Sequence, residues 1–201
     1  MWAGYALVYI WFRTRNFGKR ELFSAPAGSQ VGGAIYAFTW AMLPWAKESI
    51  RGNLISYAMG IAYHVGIFTA IALLVIYIFP ALHDLTAIFL YYIIPFALAF
   101  GVIGGISLLI KRMLNPILRA ISSPDDYFSN TSATLFVGLA LATLLLSRIW
   151  ITRLWFISAI VLFIYIPFSK IRHCLFFFIT RYHFGAFFGR RGCMPPSKTK
   201  V

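Results

Sequence analysis

Residues 54–79 read LISYAMGIAYHVGIFTAIALLVIYIF, twenty-six positions without a charge. A run of that length constrains the fold strongly, because about 20 apolar residues in a helix already cross the hydrocarbon of a bilayer. Residues 85–110 form a second such run, joined to the first through PALHDL. Residues 149–179 form a third if Arg153, Lys170 and Arg172 are tolerated within it, and a shorter one at 131–147 follows the turn-like SSPDDYFSN. Composition agrees: 61% of the chain is hydrophobic and 11% charged, whereas soluble domains carry about one quarter charged residues.

The N-terminal MWAGYALVYIWF, residues 1–12, reads as a short or incomplete first span. It has no basic stretch ahead of it and no small-residue cleavage pattern, so a cleavable signal peptide is not expected. Residues 34–46 are too short to cross a bilayer and too apolar for a free loop. With Trp40 and Trp45 they suit an interfacial helix. The expected fold is an all-α integral membrane protein in one membrane domain, 1–201. It comprises a five-helix transmembrane bundle (1–12, 54–79, 85–110, 131–147, 149–179), an interfacial helix after the first span, and a basic cytoplasmic tail at 180–201.

The formal net charge of +13 might suggest nucleic acid in a soluble chain, but its distribution argues otherwise. Six Lys/Arg lie from Arg13 to Arg51, three from Lys111 to Arg119 and seven from Lys170 onward, leaving only Arg148 and Arg153 elsewhere. By the positive-inside rule the three larger groups are cytoplasmic, which puts the N-terminus outside and the C-terminus inside. No nucleic-acid partner is expected; the basic surface suits anionic membrane lipid or an acidic soluble partner. Cys174 and Cys193 fall on the same cytoplasmic side and argue for neither a disulfide nor a metal cluster. The connections are short. Walker, GxGxxG and Ser/His/Asp signatures are absent from the sequence, so any chemistry belongs to the spans themselves.

Four histidines are candidates for that chemistry. His83, beside Asp84, falls in the outer turn, and His183 falls in the tail; both read as solvated or interfacial side chains. His64 sits ten residues into its span, roughly 15 Å along the axis at 1.5 Å per residue. An ionisable group there is costly and points to function unless it makes a structural hydrogen bond. His173, near the cytoplasmic end of the last span, belongs to a helix antiparallel to that of His64, so the two can share a depth. Paired neutral imidazoles from facing helices suit the axial positions of a b-type haem. Gly60 and Gly66 leave room beside a flat macrocycle. Arg172 and Lys170 suit its propionates, or serve simply as positive-inside anchors. Gly101, Gly104 and Gly105 allow close helix or cofactor approach.

YHVGIF at 63–68, GGISLLIKRMLNPILRA at 104–120 and IPFSKIRH at 166–173 resemble the gamma subunit of respiratory nitrate reductase, a five-helix cytochrome b that oxidises quinol. AFTWAMLPWAKESIRGNLISYAMGIAYHVGIF is similar to membrane subunits linked to heterodisulfide-reductase-type iron-sulfur proteins, including those of dissimilatory sulfur metabolism. The resemblance runs from about Phe38 to His173. In the nitrate reductase subunit two haems are stacked across the membrane, each between a histidine of helix two and one of helix five. The inner pair matches His64 and His173. The outer pair falls on Leu74 and Trp155, neither of which supplies an imidazole. The resemblance therefore implies one haem b, on the cytoplasmic side.

The expected function is that of a quinol- or quinone-reactive electron-transfer subunit of a larger oxidoreductase complex in a prokaryotic inner membrane. It links menaquinone or ubiquinone to a cytoplasmic iron-sulfur subunit. His83, Asp84, Arg148 and Arg153 are the outer-side polar groups within reach of a quinone, or they face headgroups and water. A haem-free membrane anchor or assembly subunit is the alternative that the lost ligands raise. A small transporter is disfavoured by the scarcity of charge within the spans.

Overall fold

The computed structural model describes residues 1–15, 25–46, 51–79 and 87–195. Every regular element among them is helical. In chain order the α-helices are α1 (Trp2–Thr14), α2 (Gln30–Phe38), α3 (Leu54–Ile78), α4 (Ala87–Leu114), α5 (Pro116–Ala120), α6 (Pro124–Leu146), α7 (Ile149–Tyr165) and α8 (His173–Arg190). Short 3-10 turns occupy Trp40–Met42, Pro44–Ala46, Ile166–Phe168 and Lys170–Arg172. His83, Asp84 and the end of the basic tail lie outside the described residues.

Among the described residues, four segments are long and apolar enough to cross a membrane: Leu54–Ile78, Tyr92–Leu114, Pro124–Leu146 and Ile149–Phe168. That is one fewer than the five expected. The 13 residues of α1 extend only about 20 Å at 1.5 Å per residue, short of a hydrocarbon core of about 30 Å. Within each span only 22–33% of the most apolar window is buried. Ile61, Val65, Phe68, Ile157, Ile160 and Val161 all project outward. Such an exposed apolar surface would be a liability in water and is ordinary against lipid tails.

Two boundaries differ from the expectation, each for a local reason. The helix expected at 131–147 begins seven residues earlier, because SSPDD is a helix start rather than a turn. Ser123 is the N-cap of α6, Pro124 occupies the first turn, and Asp126 accepts from both the Ser123 backbone N–H (2.8 Å) and its hydroxyl (2.9 Å). Proline at the first position sacrifices a donor that has no helical partner, and acidic groups in that turn complement the helix dipole. The run at 149–179 is not one helix. It stops at Tyr165, passes through two 3-10 turns and restarts at His173. Pro167 explains the stop, since its ring clashes with the preceding turn and it brings no N–H.

The chain divides into two compact units, Ile55–Lys170 and Met1–Leu54 with Ile171–Val201. The first holds the spans. Its core is built from Ala70, Leu73 and Leu74 of α3, Leu98 of α4, Phe136, Val137 and Ala140 of α6, and Trp155, Ala159 and Leu162 of α7. Small residues let the backbones approach. A Cβ added at Gly66 would lie 2.5 Å from the Gly101 Cα, and one at Gly104 would lie 2.6 Å from the Met59 carbonyl oxygen. Gly101 and Gly105 form the small-xxx-small spacing that membrane helices use at close crossings.

The second unit pairs α2 with α8. Ser29 caps α2 by accepting from the Gly32 amide at 3.0 Å. The helix expected at 34–46 is therefore shifted, running Gln30–Phe38 before giving way to 3-10 turns around Pro44. Gly185 and Gly189 of α8, again four apart, meet Gly33, where a Cβ at Gly185 would fall 2.8 Å from the Ala34 Cα. At the far end of α2, the Arg181 side chain donates from Nε to the Ala37 carbonyl at 2.7 Å. A cation at a helix C-terminus satisfies an orphan acceptor and opposes the negative end of the dipole.

Candidate functional site

Tyr63 sets the direction of His64. The Tyr63 ring is buried, its hydroxyl donates to the Asn130 carbonyl at 2.9 Å, and it accepts from Thr134 Oγ1 at 3.1 Å. With Tyr63 and Gly66 turned into the bundle, the intervening step of about 100° per residue carries His64 to the exposed flank of α3. There His64 Nδ1 lies 2.7 Å from the Gly60 carbonyl oxygen, one turn back. A carbonyl only accepts, so Nδ1 carries the proton and, in the neutral ring, Nε2 carries the lone pair. This is the arrangement by which a backbone carbonyl fixes the tautomer of a metal-ligating histidine. Gly60 itself has open space where a side chain would project, with nothing within 4 Å of an added Cβ. Gly66, by contrast, leaves no such room, because α4 fills it.

His173 is the first residue of α8, with Arg172 as its N-cap, and both are exposed. His64 belongs to the unit of the spans and His173 to the unit of α2 and α8. Lys170 is engaged with a carboxylate. Its ammonium lies 2.5 Å from Asp126 Oδ2, and its backbone N–H donates to Asp125 Oδ2 at 2.8 Å. A haem propionate would have to compete with Asp126 for that cation.

Asp125 and Asp126 form a polar cluster at the end of the spans that the sequence reading passed over. Tyr165 donates to Asp125 Oδ1, Ser129 reaches the same oxygen at 3.2 Å, and Arg112 stands 3.5 Å from Asp126 Oδ1. Arg112 also donates to the Ser122 hydroxyl at 2.7 Å. One acidic pair thus ties the end of α4, the start of α6 and the turn after α7. Lys111, beside Arg112, donates to the Ser56 hydroxyl at the start of α3. The signal was present in Ser-Pro-Asp-Asp, whose helix-start chemistry places both acids within the first turn.

Ten residues beyond His64, the level of Leu74 and Trp155 is packed shut. Trp155 is fully buried and Leu74 is 5% exposed. The indole stacks edge-on against Tyr77 at 5.5 Å and nearly parallel to Phe136 at 6.1 Å. Its Nε1 has no hydrogen-bond partner among the described residues. Neither residue offers an imidazole, and the indole occupies the space, so this level does not fit a second haem. Arg148 and Arg153 are exposed at the short α6–α7 turn, where Ser147 adopts a left-handed conformation with φ 49°. Cys174 and Cys193 are both free thiols.

Comparison of the chain with family models, curated proteins and solved structures returns no match. The likeness to nitrate reductase gamma subunits therefore rests on the motifs quoted above.

Proposed function

We propose that the chain is the membrane cytochrome b subunit of a redox complex in a prokaryotic inner membrane, carrying electrons between the quinone pool and a cytoplasmic iron-sulfur partner. The observation that carries this reading is His64, an imidazole on the exposed flank of an apolar span whose Nδ1 is tied to the Gly60 carbonyl. His64 and His173 would hold one haem b, and Gly60 would leave its face clear. Haem iron supplies one-electron chemistry between the ferrous and ferric states. The protein's own contribution is to fix the imidazole tautomer, to keep the surroundings apolar and to balance the charge at the membrane surface with Arg172 and Lys170.

The clustering of Lys111, Arg112, Arg119 and Lys170 at one end of the spans, against Arg148 and Arg153 at the other, supports a cytoplasmic location for the first end. It is also the end nearer His64. Menaquinone or ubiquinone is the membrane-soluble substrate in this reading. A five-span bundle, with α1 as a short or incomplete first span, is part of the same proposal.

The test is a reduced-minus-oxidised optical spectrum of the purified chain, with extracted haem counted per copy, in the wild type, His64→Ala and His173→Ala. One haem b in the wild type and none in either variant is the expected result. Absence of haem in the wild type, purified with its native membrane partners, would leave a membrane anchor or assembly role in its place.

A further inference from the structure

Beside the acidic clasp, on the outer flank of the span unit, lies an open groove of about 680 Å³. It is lined by Arg119, Ser122, Pro124, Tyr127, Phe128 and Thr131. We infer that this groove binds the anionic headgroup of a phospholipid, with the upper acyl chain lying on Phe128.

The charge pattern carries the argument. The two carboxylates nearest the groove in sequence, Asp125 and Asp126, are turned to Tyr165, Lys170 and Arg112 and contribute nothing to its lining. Among the described residues of the lining, Arg119 is thus the one charged group, and it is exposed. Among the described residues its guanidinium makes no ion pair. Tyr127 and Thr131 add hydroxyl donors, and Phe128, 53% exposed, supplies an apolar floor. A cation flanked by hydroxyls above an aromatic surface matches a phosphodiester above hydrocarbon, since guanidinium pairs well with phosphate oxygens.

Position supports the same ligand. The groove spans the polar connection at 119–124 and the first two turns of α6, the level where a helix of this length leaves the hydrocarbon. It opens outward instead of enclosing a ring. Among the described residues, its lining includes no His, Asp or Glu that could take up or release a proton, as oxidation or reduction of a quinone requires.

The experiment uses the full chain, delipidated in detergent and titrated with phosphatidylglycerol or phosphatidylcholine, with bound lipid counted by native mass spectrometry. The wild type is expected to retain phosphatidylglycerol over phosphatidylcholine. Arg119→Gln should weaken that retention about fivefold, the effect of one basic residue on anionic lipid. Arg153→Gln, which removes one positive charge at the other end of the spans, should leave retention unchanged. A circular dichroism melt confirms that both variants fold. Equal retention by the wild type and Arg119→Gln overturns the inference. So does equal weakening by the two variants, which would make net charge the cause. Loss of short-chain quinone binding in Arg119→Gln, with phosphatidylglycerol unaffected, would reassign the groove to quinone and also overturn it.

Discussion

Two levels of the same helix, ten residues apart, are built in opposite ways. At His64 the flank of α3 is exposed, the imidazole is held by its own backbone, and Gly60 faces open space. At the level of Leu74, roughly 15 Å further along the axis, the buried Trp155 of α7 packs against Tyr77 of α3 and Phe136 of α6. A span can therefore be open along its flank at one level and closed by buried aromatic packing at another. The cost is one indole N–H without an acceptor among the described residues, tolerable where the surrounding ring contacts are extensive.

The sharpest way to break the comparison is to exchange the readouts. His64→Ala should abolish haem retention, from one per chain to none, while shifting the melting of the haem-free protein little, since the side chain is exposed. Trp155→Ala should do the reverse. Haem stoichiometry should hold, while the haem-free fold loses about 3–5 kcal/mol, the usual cost of emptying a large aromatic site, read by denaturant titration in mixed micelles. If Trp155→Ala also removes haem, the two levels are not independent.

Gly66→Ala should destabilise the span unit by about 1–3 kcal/mol, because the new methyl meets the Gly101 backbone, which cannot rotate away as a side chain can. Asp126→Asn should cost about 1 kcal/mol, since it weakens the pairs to Lys170 and Arg112 in a partly exposed setting. Thermal melts at low and high salt separate the two effects: only the Asp126 variant should converge toward the wild type as salt rises. The smallest effect belongs to Gly60→Ala. An added methyl there meets nothing, so the haem-free helix should gain about 0.5–1 kcal/mol from reduced backbone freedom. A loss of stability at Gly60 would show that its surroundings are closed.

Much of this architecture was legible in advance. The span of α3 is correct to within a residue because its signal is length and hydropathy, which a bilayer reads directly. The early start of α6 was missed because Ser-Pro-Asp-Asp serves equally as a turn, and only the cap contacts of Asp126 distinguish the two uses. The break after Tyr165 was hidden because Ile166–Phe168 is as apolar as the helix before it, and hydropathy does not register a proline's missing donor. For the candidate site, His64 stood out as an imidazole in an uncharged run. Lys170 reads from sequence as a propionate partner or a positive-inside anchor, because nothing in the sequence pairs it with an acid 44 residues earlier.

The α6–α7 pair carries a consequence for how the chain is assembled. Its two helices are joined through Ser147 and Arg148 alone, and their other ends are fastened by Asp125 and Asp126 to Lys170. The hairpin turn already holds those ends close, so fastening them involves far less loop entropy than joining 45 residues of free chain. During synthesis this hairpin can close as soon as Lys170 has emerged, before α8 exists to pair with α2. The spans then present a finished end, already neutralised at its two acids, to whatever the rest of the chain brings.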